Sequence, residues 1–186
     1  RICGVCPVSH AHASSIATEK AYGITISNNA RIIRNIQEGA QFLHSNILWF
    51  YNLAGLDYIN PLNALKADPA DAMDLARAAG ASMNSDFVAL KEHLSQFAEN
   101  GQLSIFSGNW FDAEDGTGFK LPPELDLICT AHYLEALGMQ AKASQISALL
   151  GGKMPHIMTL RPGGTAFVPT DQKLDDLKLL VDELYN

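Results

Sequence analysis

Residues 27–54 read SNNARIIRNIQEGAQFLHSNILWFYNLA, and within them Ile33, Ile36, Ala40, Leu43, Ile47, Phe50 and Ala54 recur in steps of three and four. That spacing keeps apolar side chains on one side of a helix and predicts a single long helix with a continuous buried stripe. Ser27 or Asn28 can accept from the free backbone N–H groups at its start, and Gly55 can end it. More helices follow. In ADPADAMDLARAAG, Asp68 is a natural cap, Pro69 suits the first helical position, and Gly80 sits just past the end. A third helix is expected from Asn84 or Ser85, presenting Phe87, Leu90, Leu94 and Phe97 and stopping at Asn100–Gly101. The fourth should begin at Pro122–Pro123, carry Glu124 and Asp126 in its first turn, and run to Gly151–Gly152, with a bend possible at Gly138. The last starts at Thr170, with Leu174, Leu177, Leu180, Val181 and Leu184 in register. Between these, residues 107–120 read as a loop, and residues 153–170 suit two short strands around Pro162–Gly164. The expected fold class is mainly α, a long-helix bundle with a minor β element.

Bulk composition narrows the function. The chain has 186 residues, 47% apolar and 18% charged, which suits one well-buried core. A net charge of -7, with no basic stripe to neutralise phosphates, disfavours nucleic acid as a partner. No apolar run reaches the roughly 20 residues of a membrane span; the best, NILWFYNLAGL, is short and broken by Asn52. The sequence does not begin with Met and opens inside a motif, which predicts a single fragment, residues 1–186, of a longer catalytic domain.

That motif is RICGVCPVSH, residues 1–10, with Cys3 and Cys6 around a glycine and His10 beyond. Thiolates suit zinc, nickel, copper(I) or iron–sulfur chemistry. A zinc half-site is the commonest reading of this spacing, while a thioredoxin-like dithiol expects a βαβ setting that the helical pattern lacks. Zinc needs a completed tetrahedron, yet Cys129 and the histidines form no second close pair, and His10 and His12, two apart on a helix, do not face one another. Cys129, alone in a helical pattern, reads as a small buried apolar residue.

These ten residues closely resemble the R-x-C-G-x-C-x-x-x-H motif of nickel–iron hydrogenase large subunits. Residues 28–69, 99–112, 120–137 and 149–164 are similar to later segments of that family, in the same order. The resemblance implies part of the larger large-subunit fold and reversible oxidation of H2 at a Ni–Fe centre. Four cysteines in two pairs hold nickel there, two of them bridging to an iron that carries cyanide and carbon monoxide. Cys3 would be a terminal nickel ligand and Cys6 a nickel–iron bridge; both would be catalytic. His10 would donate to the sulfur cluster from outside the ligands, and Arg1 would favour the deprotonated thiols. No second cysteine pair is present. The resemblance further implies an iron–sulfur small subunit that alone carries the clusters, a membrane cytochrome reached through the complex, and a place on the periplasmic side of the membrane, as in uptake enzymes. A non-catalytic relative of the quinone-site subunit of complex I, or a zinc-binding structural module, are the alternatives.

Other polar residues have plainer readings. His44 is expected as a buried, hydrogen-bonded core histidine. A stretch rich in histidine in many family members is broken here by Ser45, Asn46, Trp49, Asn52 and Ala54. His132 and Glu135 read as surface or packing residues, and Met154 and Met158 as core filler. The segment Gly151–His156 is either a helix stop and turn, or backbone placed beside a cofactor or partner.

Overall fold

Helix ends form where side chains can satisfy free backbone groups. In the computed structural model, which describes residues 2–81, 85–106 and 121–185, Ser27 Oγ accepts from Ala30 N to start α2 (Asn28–Ile47). Asp68 likewise caps α4 (Pro69–Ala78), and Asp86, rather than Ser85, caps α5 (Phe87–Glu99). Asn84 and the loop expected over 107–120 lie outside the described residues. Helix α1 (Pro7–Tyr22) follows the cysteine motif and ends at Gly23 with φ 65°, a left-handed position suited to glycine. A short α3 (Pro61–Ala64), the long α6 (Pro123–Gly151) and α7 (Asp171–Tyr185) complete the helices. The expected strands are β1 (Leu160–Arg161) and β2 (Gly164–Thr165), antiparallel, with Leu160 opposite Thr165. The fold is mainly α with one minimal hairpin.

The long helix departs from its expected form in two ways. After Ile47 the backbone widens into a π-helical segment, Leu48–Leu53, and then a 3-10 turn, Ala54–Asp57. The widening turns Asn52 inward, where its amide donates to the Tyr133 carbonyl at 3.0 Å. The buried side of α2 also differs: Ala30, Arg34, Gln37, Ala40, Gln41 and His44 are enclosed, whereas Ile36 and Leu43 are 40% and 42% exposed. A mostly polar face is drawn inward because Arg34 has partners there that no solvent-facing position offers.

The chain divides into two compact units, Arg1–Leu48 with Gly138–Asn186, and Trp49–Leu137. In the first, the guanidinium of Arg34 donates from Nη1 and Nη2 to both Glu19 oxygens, at 3.0 and 2.6 Å. It also donates to the carbonyls of Arg161 and Gly164, and Gly163 N donates to Glu19 Oε1 at 2.9 Å. One ion pair thus ties α1, α2 and the hairpin. Beside it Ala40, Ile146, Leu150 and Phe167 form a core, joined by Ile33, Leu177, Leu180 and Leu184. In the second unit, small residues (Ala64, Ala67, Ala72, Ala76 and Ala131) let helices close on Phe87, Leu94 and Leu127. Buried Asp126 accepts from Asn60 N and Asn63 Nδ2, at 2.9 and 2.8 Å, fastening α3 to the start of α6.

The stability of the first unit should depend on its ion pair. Arg34→Met strands Glu19 in the interior and should cost about 3 kcal/mol in urea unfolding. Arg34 holds the Glu19 carboxyl below the usual carboxylate range, with burial opposing. A group lowered on folding adds stability above its unfolded pKa and loses it as pH falls through the folded value. Urea midpoints should therefore fall as pH drops below about 4, and less steeply in Glu19→Gln. Gly151 has no room for more: an added Cβ would meet Ile157 Cγ2 at 2.4 Å and Gln37 Nε2 at 2.8 Å. Gly151→Ala should lose about 1–3 kcal/mol by the same measurement.

Candidate metal centre

Cys6 immediately precedes α1, whose first two residues, Pro7 and Val8, are buried and anchor the helix start. The preceding loop folds its backbone around one sulfur. Val5 N and Cys6 N both donate to Cys3 Sγ, at 3.2 and 3.3 Å. The Cys6 and Val5 amides and the Cys6 thiol hold the Cys3 thiol below its ordinary pKa. Its bond to Cys3, together with burial, pushes the Cys6 thiol up. Both are free, partly accessible thiols. The start of α1 adds positive partial charge beside them.

Two soft sulfurs in hydrogen-bonding reach, one with its thiolate form favoured, fit a thiophilic metal. Among the described residues, no set of three histidine, cysteine or acidic side chains is placed to hold a metal ion.

Two distant side chains reach the same loop. Gln41 Nε2 donates to the Val5 carbonyl at 3.1 Å, and His156 Nε2 to the Cys3 carbonyl at 3.2 Å. His10, exposed on the first turns of α1, lines a cavity of about 500 Å³ with Ile2, Ser14, His156, Ile157 and Pro162. Arg1 lies outside the described residues. Nearby, Glu38 accepts from Ser9 Oγ and lies 3.3 Å from His12 Nδ1.

The remaining candidates settle elsewhere. His44 is buried as expected, but its Nδ1 lacks the hydrogen bond that the sequence reading gave it, and burial pushes its pKa down. In the second unit, Cys129 is half-buried and lines an apolar cavity of about 660 Å³ with Trp49, Phe50, Tyr58 and His132. His132 stacks on Tyr51, a packing role. Met158 is not core filler: it is 56% exposed, and its N–H instead donates to the Gly151 carbonyl. Sequence reasoning missed Gln41, since nothing in its spacing marks a helix glutamine as a partner of a loop 36 residues away. The opposed thiol shifts predict an order of reaction. In the metal-free chain near neutral pH, iodoacetamide should modify Cys3 several-fold faster than Cys6, read by peptide mass spectrometry; equal rates would contradict the geometry.

Comparison with known proteins follows the same line. The family described as nickel-dependent hydrogenase matches residues 1–185. The chain is 42% identical over 160 residues to the uptake hydrogenase large subunit of Rhodobacter capsulatus, and 45% identical over 160 residues to the hydrogenase-1 large chain of Escherichia coli. Each alignment covers 84% of this chain but 26% of the relative, so the chain spans about a quarter of their length. Among solved structures, the Ni-Fe-Se hydrogenase of Desulfovibrio vulgaris Hildenborough in its reduced state superposes with a TM-score of 0.68 at 28% identity, over 99% of this chain and 29% of that one. With the paired thiols at the head of α1, these matches identify the chain as a member of the nickel-dependent hydrogenase family.

Proposed function

We propose that the chain is a segment of the catalytic large subunit of a nickel–iron hydrogenase and contributes half of its bimetallic site. The whole enzyme would oxidise H2 reversibly to two protons and two electrons. The observation that carries this is the Cys3–Cys6 pair, with two backbone amides trained on Cys3, in a chain of this family. Cys3 and Cys6 would together hold this centre, a nickel and an iron bearing cyanide and carbon monoxide. When bound, the centre supplies an electrophilic metal with an open position for splitting H2 heterolytically.

The chain's own groups do the rest. The Val5 and Cys6 amides offset charge on Cys3 Sγ, and a ligand sulfur can take the released proton. His10 and Arg1 would support the sulfurs as donors from outside the ligand set. Beyond the pair, only Cys129 remains in the sequence, so iron–sulfur clusters would belong to a small-subunit partner, and the other two thiolates would come from outside residues 1–186. Among the described residues, no helix is long and apolar enough to cross a membrane. Attachment to a membrane, on its periplasmic side, would run through a partner such as a cytochrome.

The test is nickel content and H2-dependent viologen reduction in the assembled complex. Wild type should hold nickel and reduce the dye, whereas Cys3→Ser and Cys6→Ser should each lose nickel and fall to background. The isolated 186-residue chain should be inactive. Dye reduction by either serine variant, or zinc in place of nickel, would overturn the reading.

A further inference from the structure

We propose that Gln41 and His156 are positioning residues of the thiolate loop: Gln41, by gripping the Val5 carbonyl, holds the peptide plane whose Cys6 amide points at Cys3 Sγ, and His156, on the Cys3 carbonyl, fixes the peptide that precedes the one carrying the Val5 amide. The inference rests on the reading of Cys3 and Cys6 as metal ligands.

In a trans peptide the C=O and N–H lie in one plane and point in opposite directions. The Val5 carbonyl and the Cys6 N–H are two ends of one such plane. Gln41 Nε2 sits 3.1 Å from the first end, and Cys3 Sγ sits 3.3 Å from the second. Holding the carbonyl therefore aims the amide. His156 acts one step earlier, fixing the Cys3 carbonyl from which Gly4 swings.

Packing does not do this job. Gly4 and Val5 are exposed, and a Cβ added at Gly4 would meet nothing within 4 Å. Glycine in open space samples widely, so hydrogen bonds are what restrain the loop.

Both residues adopt otherwise unfavourable states. Gln41 is 1% exposed, spends its nitrogen on the Val5 carbonyl and Ser45 Oγ, and leaves Oε1 buried without a partner. Turning the amide over would set oxygen against oxygen at Val5. His156 holds φ at 59°, a left-handed conformation that side chains rarely adopt, and from there its ring reaches Cys3. Amide bonds to thiolate sulfur draw charge from it and raise the reduction potential of the metal it binds.

The experiment uses the assembled complex, as wild type, Gln41→Met, His156→Leu and His156→Gln, with nickel content and EPR-monitored redox titration as readouts. Gln41→Met and His156→Leu should move the nickel midpoint to more negative values. His156→Gln, which can still donate, should return it toward wild type. Unchanged midpoints in the first two variants, or equal shifts in His156→Leu and His156→Gln, would overturn the proposal. Because Gln41→Met can impair folding, amide hydrogen exchange over residues 3–6 is compared in the metal-free chain for His156→Leu, a surface change. Faster exchange there with an unaltered unfolding midpoint supports the clamp, and unaltered exchange refutes it. A wild-type complex without nickel would sink the hydrogenase reading while leaving the exchange result to stand or fall alone.

Discussion

Everything in the first unit hangs on a guanidinium. Arg34 is 1% exposed and meets Glu19 through a two-pronged fork while its other N–H groups face hairpin carbonyls. An ammonium could not do the same, because only the planar fork presents donors in fixed divergent directions. The arrangement closes a helix pair and a hairpin around charges that would otherwise be costly to bury. It also settles which side of α2 faces inward, and so puts Gln41 under the cysteine loop.

The two units handle a buried carboxylate in opposite ways. Glu19 has a cation, and its pKa is held down. Asp126 has amides from Asn60 and Asn63 instead, and burial prevails, pushing its pKa up. Hydrogen bonds from neutral donors satisfy lone pairs without supplying countercharge, so desolvation decides. Glu19 thus binds α1 to α2 as an anion, whereas Asp126 clips α3 to α6 with its charge poorly compensated.

Much of this was legible in the sequence. Caps at Ser27 and Asp68, the proline before α6 and the glycines around the hairpin are local signals, and each marked a real boundary. The cysteine pair was legible as a pair, because residue type and spacing bring the two thiols together just before α1. What resisted reading was long-range. Apolar periodicity placed the buried side of α2 along Ile36 and Leu43, and the Glu19–Arg34 pair, set by a partner 15 residues away, overrode it. The widening after Ile47 was equally hidden, since Asn52 answers to a carbonyl 81 residues distant. His156 was visible only as a residue that could face a cofactor; its contact with Cys3 spans 153 positions.

Gly151 draws these distances together. Its bare Cα lets Ile157 close against α6, and Met158 N bonds back to its carbonyl, which makes a tight return of the chain. His156 sits within that return. The room available at one glycine in the core therefore sets where an imidazole stands at the thiol loop. A side chain added at position 151 would thus be felt at the thiol loop, although the residue touches no sulfur.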